Sequence, residues 1–157
     1  MSERVDEIGF GGLKLIQDTD MFCYGIDAVL LASFASRSSH KNVADLGTNN
    51  GVIPLIMSSL GNAERLTGVE MQVRACDLAR RNIEMNGLSH RIFVRNTDIM
   101  DLPRHFCGAS FDCVVTNPPY MAAGTGVVYA EDPLKAARHE TTARLSDFIE
   151  KAAWLLT

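Results

Sequence analysis

The tetrapeptide Asn117-Pro118-Pro119-Tyr120 brings together an amide, two prolines and a phenol ring that could hold a flat amino group. The prolines restrict the backbone, so the Asn117 side-chain oxygen and the Pro118 carbonyl oxygen could be fixed with little loss of entropy. Both oxygens are acceptors, which predicts an NH₂ donor as their partner. The ring of Tyr120 offers a face for stacking, worth about 1–3 kcal/mol with a nucleobase. The alternative is a proline-rich turn that ends a buried strand.

The segment from Asp45 to Gly51 has the spacing D-x-G-x-x-x-G and predicts a tight turn between a strand and a helix. Gly47 and Gly51 let a small molecule approach the main chain, and the following helix offers free N–H groups to an anionic group. The segment lacks the G-x-G-x-x-G spacing of a dinucleotide site, which argues against a nicotinamide or flavin enzyme. A tight turn without a ligand is the alternative.

Acidic residues also stand at the ends of two later β-rich runs. Glu70 ends one run, where its carboxylate could accept both hydroxyls of a ribose. Asp98 follows the next run, where it could accept from the amino group of an adenine while Ile99 covers one ring face. The alternatives are an ordinary surface acid for Glu70 and a solvated or turn-capping acid for Asp98.

Short β-rich runs alternate with helical runs from Asn42 onwards, which predicts a parallel sheet with helical crossovers. The predicted strands are 43–46, 66–70, 92–94 and 111–115, and the predicted helices are about 52–60 and 73–86. Right-handed crossovers bring the carboxyl ends of parallel strands to one edge of the sheet, where ligands collect. The sequence therefore predicts an α/β, Rossmann-like fold with its chemistry just after each strand.

The two ends of the chain also carry patterns. Residues 13–17 alternate like a short strand, and a helix over 25–35 places Ile26, Val29, Leu30 and Phe34 on one face. A last helix opens near Ser146 and runs to the final residue, with an apolar stripe of Leu145, Phe148, Ile149, Ala152 and Leu155 or Leu156. We expect one domain over 1–157, made of an N-terminal extension (1–41) and a core (42–157).

Composition narrows the class of protein. The 157 residues are 46% apolar, which is enough for one sizeable core and too little chain for two catalytic domains. The chain starts with acidic residues and has no apolar run near eighteen residues, so we expect neither a spanning helix nor a secretory signal, and a cytoplasmic location. The cysteines Cys23, Cys76, Cys107 and Cys113 form no C-x-x-C pair, so neither a metal site nor a disulfide framework is indicated.

The net charge of −4 offers no global attraction to nucleic acid, but residues 74–95 hold five arginines against two acids. The arginines are Arg74, Arg80, Arg81, Arg91 and Arg95. Such a local surplus could meet phosphate. For this stretch alone we favour the simpler interpretation, a solvated helix face.

Taken in order, the motifs at 45–51, 70, 98 and 117–120 resemble those of class I S-adenosylmethionine-dependent methyltransferases. They are similar to the subgroup in which N-P-P-Y serves methylation of an exocyclic or amide nitrogen. Three flanking segments, residues 11–17, 22–31 and 137–140, resemble the bacterial valine-tRNA adenine-N6-methyltransferases, which modify adenosine 37 beside the anticodon. The resemblance covers nearly the whole chain and implies S-adenosylmethionine as cofactor and tRNA as partner.

The resemblance also implies a role for each motif. The methionine part of the cofactor would lie along the turn after the first core strand, with the ribose on Glu70 and the adenine between Asp98 and Ile99. The N6 hydrogens of the substrate adenine would be taken by Asn117 and Pro118. The implied cofactor-binding residues are Tyr24, Asp27, Asp45, Gly47, Asn49, Gly51, Glu70, Asp98, Ile99 and Asn117, and the implied catalytic residues are Asn117, Pro118, Pro119 and Tyr120.

Two features depart from the family. Asn49 stands where the family often has glycine, and because asparagine tolerates a positive φ we expect the turn to survive with altered cofactor affinity. The family continues beyond Thr157 into a fifth strand and an antiparallel pair, so we expect a fragment whose last core strand is an exposed edge. His139 and Glu140 are expected to contact RNA or to anchor their loop.

Two rival functions remain open at this point. A methyltransferase acting on a glutamine side-chain amide of a release factor would use the same four-residue turn and nearly the same chemistry. The segments 22–31 and 137–140 favour the tRNA group over that rival. A module that binds nucleotide or RNA without catalysis is the rival of a different class.

Overall fold

The computed structural model describes residues 3–21, 23–118 and 143–157. The predicted roles of Pro119, Tyr120, His139 and Glu140 therefore lie outside the described residues. In chain order the elements are β1 (Glu3–Glu7), β2 (Lys14–Asp18), α1 (Ile26–Ala35), β3 (His40–Leu46), α2 (Val52–Leu60), β4 (Ala63–Glu70), α3 (Val73–Met85), β5 (Ile92–Asn96), a 3₁₀ helix (Ile99–Arg104), β6 (Cys113–Thr116) and α4 (Leu145–Leu155).

Four strands form one parallel sheet in the order β5-β4-β3-β6. Leu46 of β3 pairs with Val69 of β4 on one side and with Thr116 of β6 on the other. Glu70 pairs with Asn96, so the ends of all four strands lie in neighbouring positions. The predicted α/β fold with a parallel sheet is confirmed.

The parallel strands begin earlier than predicted where their first residues are polar. The first three residues of β3, from His40 to Asn42, are exposed or half-buried, and its last four are buried. Likewise β4 begins at Ala63 rather than at 66. The sequence does not predict this start, because Glu64 and Arg65 are polar and exposed. Main-chain pairing, which leaves no trace in an apolar pattern, adds these residues to the strands.

A two-stranded antiparallel hairpin, β1 and β2, lies outside the main sheet. The sequence predicts β2 but not β1, because ERVDE is polar and largely exposed. In β2 the side chains of Leu15 and Ile16 are buried. The hairpin thus contributes one apolar strand to the core.

Two apolar clusters cover the two faces of the sheet, because neighbouring strand residues point to opposite sides. Val43 and Val115 belong to the cluster formed with α1, α2 and the hairpin. Ala44 and Leu46 belong to the cluster formed with the 3₁₀ helix and α4. The sheet is therefore the middle layer between two sets of helices.

The apolar stripes predicted for the first and last helices are only partly buried. In α1 it is Ala28 and Ala32 that pack inward. Of the predicted face, Ile26, Leu30 and Phe34 point outward and are each more than 60% exposed, whereas Val29 is half-buried and packs against the core. The small alanines allow a close approach of α1 to its neighbours, which the apolar periodicity does not reveal.

In α4 the prediction is right for Phe148 and Leu155, which are buried, and wrong for Leu145 and Ile149, which are about 60% exposed. The helix also ends at Leu155 rather than at the last residue. Leu156 is extended and forms a parallel bridge with Phe111, just before β6. Among the described residues, β6 itself pairs with β3 on one side, and the bridge on the other side is made by Phe111, before the strand begins.

Candidate functional site

The carboxyl ends of the parallel strands converge on one edge of the sheet. The chain passes from β3 to β4 and β5 on one side and then returns to β6 on the other side of β3. Such a change of direction leaves a crevice outside the strand ends, and it lies here between β3 and β6. Thr116 Oγ donates to the Leu46 carbonyl over 2.8 Å, which holds these two strand ends together.

The turn that follows β3 has the conformation that its glycines predict. Gly47 and Gly51 have φ values of 77° and 81°, in the left-handed region where a side chain is strained. The main-chain N–H groups of Gly47 and Thr48 donate to the Val69 carbonyl at 2.9 and 3.0 Å. Asn49 also adopts a positive φ, 49°, which confirms that asparagine is accommodated at this position.

Glu70 lies against this turn, as the sequence predicts. Its Oε2 accepts from the main-chain N–H of Asn49 at 3.0 Å, and its Oε1 accepts from that of Gln72 at 2.9 Å. Only 9% of the Glu70 surface is exposed. Each carboxylate oxygen can accept a second hydrogen bond, so the binding of ribose hydroxyls by Glu70 stays a prediction that the geometry permits.

Asp45, the first residue of the motif, is buried beneath the turn. Burial raises the pKa of its carboxyl from 3.8 to about 7, against the lowering effect of the nearby Thr48 hydroxyl and with a small addition from the charge of Glu70. Within the described residues, neither oxygen of Asp45 has a hydrogen-bond partner of good geometry. The same holds there for Thr48 Oγ1 and Asn50 Oδ1, so acceptor atoms collect under the turn.

Asn117 follows β6 and reaches across to the N-terminal extension. Its side-chain Nδ2 donates to Asp27 Oδ2 over 2.5 Å. Asp27 lies in the first turn of α1, and Tyr24, just before that helix, packs against the apolar cluster of α1 and α2. The structure therefore brings Asp27 and Asn117 together, while their predicted contacts with a cofactor stay predictions.

Asp98 and Ile99 open the 3₁₀ helix after β5. Asp98 Oδ1 accepts from the main-chain N–H of Met100 at 2.9 Å, the capping contact that the sequence leaves open as an alternative. Ile99 is 6% exposed and belongs to the apolar cluster with the 3₁₀ helix and α4. Their predicted contact with an adenine ring stays a prediction.

Comparison with known families shows which family the chain belongs to. The sequence pattern described as Methyltransferase small domain matches residues 12–142. The chain belongs to this family.

Curated relatives of this methyltransferase small domain share about a third of its residues. A protein named tRNA1(Val) (adenine(37)-N6)-methyltransferase from Actinobacillus succinogenes is 32% identical over 85% of this chain and 56% of its own length. The protein of the same name from Trichodesmium erythraeum is 28% identical over 94% of this chain and 59% of its own length. The chain thus spans somewhat more than half the length of these relatives.

Solved structures share the architecture of this methyltransferase small domain. Pyrococcus horikoshii TYW2, solved in complex with MeSAdo, superposes with a TM-score of 0.69 at 18% identity, over 99% of this chain and 49% of that one. M. capricolum TrmK, solved with S-adenosyl-homocysteine, gives 0.52 at 16% identity over 62% and 42% of the two chains. These likenesses establish the fold.

Four of the five arginines in the arginine-rich stretch of the methyltransferase small domain make internal contacts. Arg81 makes two hydrogen bonds to the Glu3 carboxylate at 2.7 and 2.8 Å, and Arg74 pairs with Asp18. Arg80 pairs with Asp77, and Arg91 donates to the Ala63 carbonyl. These contacts favour the structural interpretation of the stretch over a phosphate-binding patch.

Two residues that position the turn are missed by the sequence reasoning. Asn82 of α3 is fully buried and bonds both to Ile16 of β2 and to the Asn50 carbonyl of the turn. Gly68 of β4 lies so close to Thr48 that a Cβ there would stand 2.6 Å from its Cγ2. An asparagine on the apolar face of a helix and a glycine inside a strand are the signals that could have revealed them.

Two of the four cysteines have thiols that burial holds in the protonated form. Burial raises the pKa of the Cys76 thiol to about 11 and also raises that of Cys113, so both stay protonated at neutral pH. Within the described ranges, no three His, Cys, Asp or Glu side chains come together as a metal site requires. Among the helices described, none has the length and apolar character needed to cross a bilayer.

Proposed function

We propose that this methyltransferase small domain transfers a methyl group from S-adenosylmethionine to the exocyclic N6 of an adenosine in tRNA, at position 37 of a valine tRNA. The observation that carries the proposal is the placement of Asn117 and the turn from Gly47 to Gly51 at adjacent strand ends, beside Glu70. The names of the curated relatives support the substrate. The cytoplasm, where tRNA is matured, is the proposed location.

The residues around the turn fit S-adenosylmethionine. The positive φ of Gly47 and Gly51 leaves room for a ligand against the main chain. The buried oxygens of Asp45 and Asn50, which accept no hydrogen bond of good geometry in the described part of the chain, suit the ammonium group of a methionine. Glu70 stands one strand away, at the position for ribose hydroxyls, and when bound the cofactor supplies an electrophilic methyl group on a sulfonium.

The chain's own contribution to the reaction is orientation and electrostatic stabilisation. Asn117 Oδ1 and the Pro118 carbonyl accept the two N6 hydrogens of the substrate adenine, which turns the nitrogen lone pair toward the cofactor. The same oxygens stabilise the positive charge that would develop on N6 as its bond to the methyl carbon forms and the carbon–sulfur bond breaks, so no general base is required before attack. The extra proton on N6 would then leave to solvent. Tyr120, which lies outside the described residues, is assigned to stacking on the adenine after it leaves the anticodon stack.

Methyl transfer to bulk tRNA tests this function. The purified chain is incubated with methyl-labelled S-adenosylmethionine and either unmodified tRNA or, in a parallel reaction, a peptide-chain release factor, and the labelled nucleoside or amino acid is identified after digestion. N6-methyladenosine is the expected product, and it should form much more slowly in Asn117→Ala. Label on protein glutamine would replace the proposal with the release-factor rival, and cofactor binding without any transfer would replace it with the binding module.

A further inference from the structure

The N-terminal extension contacts the proposed catalytic amide directly. Asp27 and Asn117 are 90 positions apart in sequence, yet Asn117 Nδ2 donates to Asp27 Oδ2 over 2.5 Å. Both side chains are half-buried, so the bond is partly shielded from water. A hydrogen bond to a charged group is about twice as strong as one between neutral groups.

This contact fixes which end of the Asn117 amide faces the reaction. A carboxylate can only accept hydrogen bonds, so the amide nitrogen must point toward Asp27. Because the amide is planar, its Oδ1 then points away from Asp27. If the Asn117 amide were reversed, its NH₂ group would face the N6 hydrogens of adenine. Both groups are donors, so no hydrogen bond could form between them.

A second observation shows that the position of the Asp27 carboxylate depends on Gly25. A Cβ built on Gly25 would stand 2.5 Å from Asp27 Oδ1, closer than two such atoms approach. The Gly25 backbone itself is extended, with φ −112° and ψ −178°, a conformation open to any residue. Glycine is therefore needed here for the space that the carboxylate occupies rather than for backbone freedom.

We propose that Asp27 is a positioning residue that holds the Asn117 amide with its oxygen toward the substrate NH₂, and that Gly25 keeps the place of the Asp27 carboxylate open. The proposal rests on the proposed function, in which Asn117 Oδ1 accepts from N6. In this proposal Asp27 acts by orienting Asn117 and does not itself contact the cofactor. The carboxylate also polarises the amide and makes Oδ1 a better acceptor.

A structural readout that needs no substrate tests the contact. The side-chain NH₂ signal of Asn117 is assigned in ¹⁵N–¹H spectra by its loss in Asn117→Ala. It should move in Asp27→Ala and in Gly25→Ala, and move less in Asp27→Asn, whose amide oxygen can still accept. The NH₂ signal of Asn82, which bonds to Ile16 and Asn50, should stay in place and serves as the control for an intact fold.

The kinetic test separates positioning from a direct role. Asp27→Ala should lower kcat for tRNA methylation by about 10- to 100-fold, the effect of losing a hydrogen bond to a charged group, with little change in the KM for the cofactor. Gly25→Ala should follow it, and Asp27→Asn should recover much of the rate. In the Asn117→Ala background, Asp27→Ala should have no further effect, because it acts only through Asn117. Ser33→Ala, on an exposed position of α1, is the matched control.

Two results would overturn the proposal. One is an unmoved Asn117 signal in Asp27→Ala while the Asn82 signal reports an intact fold. The other is an equal loss of rate or cofactor affinity from Asp27→Ala with and without Asn117, which would make Asp27 a direct ligand. If no tRNA methylation occurs in any variant, the proposed function fails, and the spectra still decide whether Asp27 orients Asn117.

Discussion

The main-chain N–H of Asn49 donates to Glu70 Oε2 over 3.0 Å, so the turn after β3 is fixed to the end of β4. The second carboxylate oxygen accepts from Gln72, at the start of α3. One buried side chain thus joins the turn after β3 to the segment that leads from β4 into α3. The proposed binding of ribose hydroxyls by Glu70 would use the same two oxygens that accept from the main chain.

Replacing Glu70 by Gln should therefore weaken both folding and cofactor binding. The glutamine keeps one acceptor oxygen, but its NH₂ group faces one of the two main-chain donors. We expect a loss of about 1–3 kcal/mol in the free energy of unfolding, measured with urea, and a weaker Kd for S-adenosylmethionine, measured by calorimetry. Glu64→Gln, at an exposed position of the same strand, should change neither quantity. Equal behaviour of the two variants would contradict the clamp.

Gly68→Ala should displace the turn from inside the sheet. The added Cβ would stand 2.6, 2.8 and 2.9 Å from the Cγ2, Oγ1 and Cβ of Thr48. We expect a loss of about 1–3 kcal/mol in the free energy of unfolding from overpacking, and reduced cofactor affinity. Thr48→Ala removes two of the three contacts, so Gly68→Ala should cost less in that background. Additive losses in the double variant would show that Thr48 is not the obstacle.

The parallel sheet could be predicted from sequence because the patterns of its strands and of its crossover helices each lie within a short stretch of the chain. Buried strands read as short apolar runs, and α3 reads as an amphipathic helix that ends before Gly87. The same logic places Gly47, Glu70 and Asn117 at one edge, since strand ends of a parallel sheet must meet there. The predicted neighbourhood of Glu70 and the turn is confirmed by the contact with Asn49.

What the sequence could not reveal are contacts that depend on distant partners. The bond between Asp27 and Asn117 joins a helix of the extension to the last core strand, and no periodicity relates them. Asn82 reads as an interruption of an apolar face until Ile16 is placed beside it. The outward face of Ile26 in α1 is likewise decided by which side of the helix meets the sheet, a property of the assembled fold.

Stability should depend on pH through Asp45. Its pKa is raised by burial to about 7 in the folded chain, against an ordinary 3.8, so the folded state binds the proton more tightly than the unfolded state. The contribution of Asp45 is fully present below about pH 4 and is lost as the pH rises to about 7, with a slope that approaches about 1.4 kcal/mol per pH unit. Asp45→Asn cannot titrate, so the difference in unfolding free energy between parent and variant should change across this window and be constant outside it. Parallel profiles from pH 4 to 8 would contradict the burial argument.

Asn82→Ala should release the hairpin from α3. The Asn82 amide accepts from the Ile16 N–H at 2.6 Å and donates to the carbonyls of Ile16 and Asn50 at 3.1 and 3.0 Å, all out of contact with water. Leaving these groups without partners should cost about 2–4 kcal/mol and speed hydrogen exchange at the Ile16 amide. Asn86→Ala removes a similar pair of hydrogen bonds to Lys14, which are exposed to water, and should cost less. The reverse order of the two losses would show that burial does not set their size.

Asn117→Ala should lower kcat for tRNA methylation by about 10²–10³-fold, the range for losing one preorganised group that stabilises developing charge, while the Kd for S-adenosylmethionine stays nearly unchanged.

Asn117→Asp keeps an acceptor oxygen but sets a second carboxylate against Asp27, at the 2.5 Å separation of the present bond. Two such carboxylates cannot both be ionised at low cost, so this variant should lose stability as the pH rises. Adding Asp27→Asn to it recreates one donor and one acceptor in exchanged positions, and the free energy of unfolding should recover. The exchanged pair no longer presents an amide oxygen at position 117. Recovery of stability without recovery of kcat would therefore show that the hydrogen bond between the two positions supports folding, whereas catalysis needs the amide oxygen of Asn117. If kcat returned in full as well, a carboxylate oxygen would serve the substrate NH₂ as well as the amide oxygen does, and the amide at position 117 would not be required.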